Sequence, residues 1–213
     1  MWENLSLPWQ AALEMAWEAY CAGTVPIGAV IADEDGNIVT RGRNRIMDKS
    51  APASQIFSNE LAHAEINVLL SLTLNREECR RVALYTTMEP CPLCMGALYM
   101  SDVKTVHFAA RDPWAGSTNL LGTTPYLSIK PFRAFPPFDP ALEVAIITIC
   151  ATSDITRLGE DIIKSRYFDR LREVFPQALE TSLALHKSGQ LTKFKEQNAK
   201  SKEVFEYLSY QVQ

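Results

Sequence analysis

Two short segments constrain this chain more than anything else in it. His63-Ala64-Glu65 and Cys91-Pro92-Leu93-Cys94 lie 28 residues apart, counted from His63 to Cys91. Each stands where a helix is expected to begin. A helical run over 60–73 carries His63 and Glu65 at its start, and 91–101 reads as a helix opened by Cys-Pro. Between them, 82–87 (VALYTT) reads as a buried strand. The fold must therefore bring two helix starts together at one end of a sheet.

The residue types say why. Zinc favours thiolate and imidazole, and a catalytic zinc keeps three protein ligands and one open position for water. Cysteines three apart in a first helical turn put both sulfurs on one face. The positive end of the helix favours their thiolate form. His63 supplies a third ligand, and Glu65 lies on the same turn, placed to face a polarised water without ligating the metal. A carboxylate there can take the water's proton and pass protons to a ring nitrogen and a leaving amine. Taken singly, each segment is weak. A lone CxxC is also a redox pair or half of a four-cysteine structural site, but Cys21, Cys79 and Cys150 supply no second close pair. Together the two segments are a strong signal for one metal and one proton shuttle, which suffice for hydrolytic deamination of an amidine-like carbon.

The rest of the chain fits an α/β domain. An i, i+3, i+4 pattern predicts a helix over 8–22, with Pro8 in its first turn and Gly23 after its end. Short apolar runs at 27–33 and 37–42 flank an Asp35-Gly36 hairpin turn. Strands are expected at 104–110 and, last, at 142–150 (LEVAIITIC). Two stretches break this rhythm. Residues 45–62 form a long polar connection, and residues 113–140 hold six of the twelve prolines and five aromatics. The second reads as a wall or lid over a site. Helices are expected at 155–175, 176–187 and 190–209. The expected division is a deaminase domain at 1–150 and a C-terminal helical extension at 151–213, packed on the domain or on a partner subunit.

Charge bears on the partner. Residues 1–150 hold eleven basic and sixteen acidic residues, and the remainder ten and nine. Neither part has the basic excess usual for gripping phosphate backbones. The opening MWENLSLPWQ has no basic segment before an apolar one, so no secretory signal is expected. Sparse, unpaired cysteines read as reduced and cytoplasmic. No apolar stretch reaches membrane-spanning length.

The chain resembles the cytidine deaminase superfamily, most closely its tRNA adenosine deaminase and guanine deaminase branch. The resemblance is carried by Val25-Pro26-Ile27-Gly28-Ala29-Val30, Gly42-Arg43-Asn44-Arg45, His63-Ala64-Glu65-Ile66, residues 84–97 (LYTTMEPCPLCMGA) and Phe108-Ala109-Ala110-Arg111-Asp112. It implies a three-layer fold with a mixed five-stranded sheet between helices. It implies one Zn2+ per chain on His63, Cys91 and Cys94, with a bound water, and Glu65 as proton shuttle. Asn44 would bond the base or its sugar, Pro26, Ile27 and Gly28 would line the pocket, and the Ala64 amide would meet the ring's polar edge. Glu89, Asp112 and Trp114 are further expected substrate contacts, and a homodimer is implied. By residue type alone, Asn44 reads as a turn or strand-end residue, and Arg41, Arg43 and Arg45 as a solvated strand face. His107 is expected to fill the sheet or point to solvent, and His186, Cys21, Cys79 and Cys150 to be structural.

Departures from the branch bear on substrate. Asn59-Glu60-Leu61-Ala62 precedes His63 where the branch carries Asp-Pro-Thr-Ala, after an apparent insertion. The acidic core, that insertion and the expected lid favour a free base, nucleoside or similar small heterocycle. The VPIGAV, GRNR and ARD segments favour adenosine in tRNA. A silent scaffold that keeps zinc for stability is the third reading, and Glu65 counts against it.

Overall fold

The computed structural model describes residues 1–211. Its first helix, α1 (Leu7–Ala22), carries Pro8 in the first turn and ends at Gly23, whose φ of 82° only a residue without Cβ adopts readily. It buries two faces. Ala11 and Ala12 lie against the sheet, while Leu13, Ala16 and Trp17 join a second apolar core. Strand β1 (Gly28–Ala32) is buried at every position, and β2 (Ile38–Arg43) pairs with it antiparallel, Val30 opposite Arg41. The turn between them is closed by Asp33, whose Oδ1 accepts from Asp35 N and Asn37 N.

Helix α2 (Ala64–Leu70) follows, shorter than the periodicity suggests, with His63 as its N-terminal flanking residue. After a single turn, α3 (Arg76–Cys79), come β3 (Ala83–Thr86), α4 (Pro92–Met100) and β4 (Thr105–Phe108). The expected hairpin, central strands and metal-bearing helices are thus present in their expected order.

The fifth strand is not where the sequence places it. Residues 142–150 lie inside α6 (Pro140–Leu158), a 19-residue helix. The sheet is completed instead by β5 (Arg133–Phe135), drawn from the proline-rich connection after the short helix α5 (Pro125–Ser128). The cause is burial on all sides. Leu142, Ala145, Ile146, Ile147, Ile149 and Ala151 are all buried, so the helix shows no polar stripe to reveal its period. Its β-branched content adds to the strand-like look. The helix is nonetheless signed at its start: Asp139 Oδ1 accepts from Ala141 N and Leu142 N, and Pro140 takes the first position. Thr148 and Thr152 return their hydroxyls to the carbonyls four residues back.

The sheet order is β2-β1-β3-β4-β5, with β1 antiparallel to both neighbours and β3, β4 and β5 mutually parallel. Helices α2 and α4 bury Ala64, Val68, Met95 and Leu98 against one face. On the other, His107 stacks between Tyr85 and Phe135 at 4.6 and 4.4 Å. This is the mixed five-stranded sheet between helices that the resemblance implies.

The later helices, α7 (Arg166–Val174), α8 (Pro176–Ser188), α9 (Gln190–Glu196) and α10 (Ser201–Gln211), share one core with α1 and α6. Trp17 Nε1 donates to Ala199 O at 2.8 Å, and Ser182 Oγ to Thr148 O at 3.1 Å. The expected division at 150 falls in mid-helix, where α6 runs on to Leu158. Phe205, fully buried on α10, is expected to report on this shared core. Phe205→Ala should cost about 3–5 kcal/mol in urea unfolding, with one transition seen by all probes. Separate loss of the C-terminal helices would show instead that they fold independently.

No helix among the described residues is long and apolar enough to cross a membrane.

Candidate active site

The two helix starts converge as the spacing requires. His63 precedes α2, Cys91 precedes α4, and Cys94 lies in the first turn of α4. Cys91 Sγ is 3.5 Å from His63 Nδ1, Cys94 Sγ is 3.5 Å from the same nitrogen, and the two sulfurs are 3.7 Å apart. Zinc–sulfur bonds of about 2.3 Å and zinc–nitrogen bonds of about 2.0–2.1 Å in a tetrahedron require separations of about 3.8 and about 3.6 Å. The three ligand atoms are therefore set for one tetrahedral zinc with a fourth position left over.

Electrostatics prepare the site. The hydrogen bond from the Cys94 thiol, helped by His63, outweighs burial and lowers Cys91 to about 4. The same bond, followed by burial, pushes Cys94 up. His63 is raised, first by its hydrogen bond to Cys91. Glu65 is 4% exposed, and burial raises its carboxyl. Thr86 Oγ1 donates to Glu65 Oε1 at 3.0 Å, while Oε2 lies 3.4 Å from Cys94 Sγ. The carboxylate is thus steadied at one oxygen and aimed at the ligand cluster with the other.

A cavity of about 170 Å³ opens over this cluster. Asn44, Ile27, Ala64, Glu65, Glu89 and Asp112 line it as expected, joined by Val25, Ile46, Met88 and Ala115. Pro26 and Gly28, two other expected contacts, are not on the wall. Pro26 O accepts from Cys150 Sγ at 3.8 Å, behind the turn. Gly28 meets α1, where a Cβ would sit 2.2 Å from Ala12 O. Trp114 is 56% exposed and off the wall.

The proline-rich segment gives Ala115 to the cavity wall, and most of it packs on the scaffold. It spends its aromatics on the scaffold: Phe132 stacks on Tyr99, Phe135 on His107, and Phe138 on Trp9. Glu89 and Asp112 brace its start. Glu89 Oε1 accepts from Thr118 N and the Thr118 hydroxyl, its Oε2 from Asp112 N, and Asp112 Oδ1 from Trp114 N and Ala115 N. Burial raises the Asp112 carboxyl.

The arginine trio is likewise not a solvated face. Arg43 and Arg45 both reach Asp48 at 2.7 Å, with all three side chains largely buried, and only Arg41 pairs in solvent, with Glu14. This clamp holds the start of the 45–62 connection and brings Ile46 to the cavity. Sequence reading also missed Thr24 and Thr86. Both are fully buried hydroxyls beside recognised motifs, and only their partners reveal them.

The chain is 37% identical over 108 residues to the tRNA-specific adenosine deaminase of Haemophilus influenzae, covering 50% of this chain and 58% of that protein. It is 35% identical over 102 residues to the guanine deaminase of Bacillus subtilis, covering 46% and 60%. It thus spans less than two thirds of the length of these relatives. The crystal structure of NE0047 in complex with 2,6-diaminopurine shares the fold at a TM-score of 0.52 and 21% identity, covering 70% of this chain and 82% of that one. Residues 3–110, about half of the chain, match the cytidine and deoxycytidylate deaminase zinc-binding region. With an intact His63, Cys91 and Cys94 cluster inside that match, the chain belongs to this family of zinc-dependent deaminases.

Proposed function

We propose that this protein hydrolytically deaminates a nucleobase ring, with a free base, nucleoside or similar small heterocycle as its preferred substrate. The observation that carries the reading is Glu65: a buried carboxylate on the cavity wall, 3.4 Å from a ligand sulfur and held by Thr86. A zinc-stabilised scaffold needs no such group.

His63, Cys91 and Cys94 would hold one zinc ion, which would supply a Lewis acid to polarise the attacking water. Glu65 would take a proton from the attacking water and give it to the ring nitrogen, then take the proton of the newly formed C–OH and give it to the amino group, which leaves as ammonia as the carbonyl forms. Val25, Ile27, Ile46 and Met88 hold the flat ring and exclude bulk water. The Ala64 N–H, which has no partner within α2 because it opens the helix, faces the ring's polar edge.

The small cavity and the acidic 1–150 segment support a small substrate. The relationship to tRNA-specific adenosine deaminases supports a second reading, adenosine within tRNA. Ammonia release across bases, nucleosides and nucleotides is expected to find a small substrate, while tRNA binding at low salt stays undetectable. Tight tRNA binding with a steep salt slope and inosine formation would reverse the preference.

The protein is further proposed to work as a homodimer. Leu93 and Met100, seven residues apart on α4, are exposed, as are Leu61 and Leu70. Light scattering should give twice the 23.9 kDa chain mass. A monomer at micromolar concentration would sink this part.

A further inference from the structure

We infer that Thr24 is a positioning residue: it locks Asn44 so that the pocket offers hydrogen-bond donors, and no amide acceptor, to the ring it takes. The inference rests on the nucleobase reading above and adds the polarity of the substrate edge.

Every polar group of Asn44 but one is committed. Its N–H donates to Ile27 O at 2.9 Å, and its carbonyl accepts from Arg43 Nη1 at 3.0 Å. Its Oδ1 accepts from Ile46 N at 3.1 Å and from Thr24 Oγ1 at 2.6 Å. The assignment of oxygen and nitrogen is not arbitrary. A backbone N–H can only donate, so the atom facing Ile46 must be the oxygen, and the Thr24 hydroxyl on that oxygen must also donate. The remaining Nδ2 has no protein partner among the described residues, although Asn44 is only 2% exposed and lines the cavity. That nitrogen is not among the buried orphaned side-chain atoms and so opens to the cavity, where it can donate to a ligand or to the water a ligand displaces.

Thr24 is itself fixed. Gly23 turns the chain at the end of α1, Gly23 N donates to Tyr20 O and Thr24 N to Ala19 O, and the Thr24 side chain is fully buried. With both bonds to Oδ1 the amide can neither flip nor swing. With the Ile46 bond alone it keeps one pivot. The ring edge presented to Asn44 must therefore carry an acceptor, here a ring nitrogen lone pair. An edge bearing N–H or an amine there meets only donors.

The test measures binding of adenine and guanine beside their 3-deaza and 7-deaza counterparts, in which one ring nitrogen becomes C–H. In the wild-type protein at least one exchange should weaken binding about tenfold, the worth of one buried hydrogen bond. Thr24→Ser, which keeps the hydroxyl, should preserve that ratio. Thr24→Val, which keeps the shape, should weaken the parent base about tenfold and bring the ratio near one. With a turned-over substrate the loss should fall on KM and leave kcat nearly unchanged. An unchanged ratio in Thr24→Val overturns the inference, as does a lowered melting temperature with the ratio intact, which would reduce Thr24 to packing. Failure of the wild type to bind any of these bases would count against the nucleobase reading, and Thr24 is then judged without ligand. The Asn44 side-chain amide protons, identified by their loss in Asn44→Asp, should exchange with water faster in Thr24→Val than in wild type or Thr24→Ser. Equal exchange in all three overturns the role of Thr24.

Discussion

Glu65→Gln is expected to slow ammonia release by about 10²–10⁴-fold in kcat while zinc stoichiometry and melting temperature stay near wild type. Glutamine keeps the shape of the side chain. Its carbonyl can still accept from Thr86 Oγ1, and its amide can donate toward the Cys94 sulfur that the carboxylate now faces at 3.4 Å. What it cannot do is take a proton and give it back. Because burial already holds the Glu65 carboxyl above its ordinary value, removing its charge relieves a desolvation cost, so stability should not fall. Full turnover by the variant would remove Glu65 from the mechanism. Loss of metal or of folding would show a structural role in its place.

The core of the site was legible because its parts are local. His63 with Glu65, and Cys91 with Cys94, each sit within one helical turn, so spacing alone places them on common faces. The β1–β2 hairpin and the central strands were legible for the same reason, since Asp35-Gly36 signs the turn and the apolar runs are short. The fifth strand was not. Helix α6 is buried nearly all round, with α8 and α10 packed on it, and a helix without an exposed polar stripe shares its pattern with a buried strand. Only Asp139-Pro140 betrays it. The cavity walls were legible only in part. Arg43 and Arg45 alternate like a solvated face, yet a single residue three positions on, Asp48, buries both. Gly28 reads as a pocket glycine within VPIG, yet it is required by the approach of β1 to the backbone of α1. Trp114 lies beside a pocket residue in sequence, but the turn that Asp112 caps carries its ring outward.

Cys94→Ala is expected to reduce bound zinc from one per chain to near none, because two ligands cannot hold the ion against solvent. Apparent stability then loses what binding contributed, about 4.1 kcal/mol at free zinc of 1,000 times Kd. Chelator-treated wild type and Cys94→Ala should therefore unfold at similar denaturant, while zinc should stabilise only the wild type. The metal-free proteins should differ in one further way. Cys91 is lowered to about 4 chiefly by the hydrogen bond it accepts from the Cys94 thiol. Without that bond its pKa should rise, while His63 and the backbone N–H of residue 94 still lower it, so at pH 6 a smaller fraction of Cys91 is thiolate. Alkylation of Cys91, which is partly exposed, should accordingly be slower in metal-free Cys94→Ala than in metal-free wild type at pH 6. The two rates should converge as the pH rises past the thiol range. Undiminished zinc in the variant would overturn the ligand assignment. Equal alkylation at pH 6 would show that the cysteines do not share a proton, and that Cys91 owes its thiolate to the start of α4 and to His63 instead.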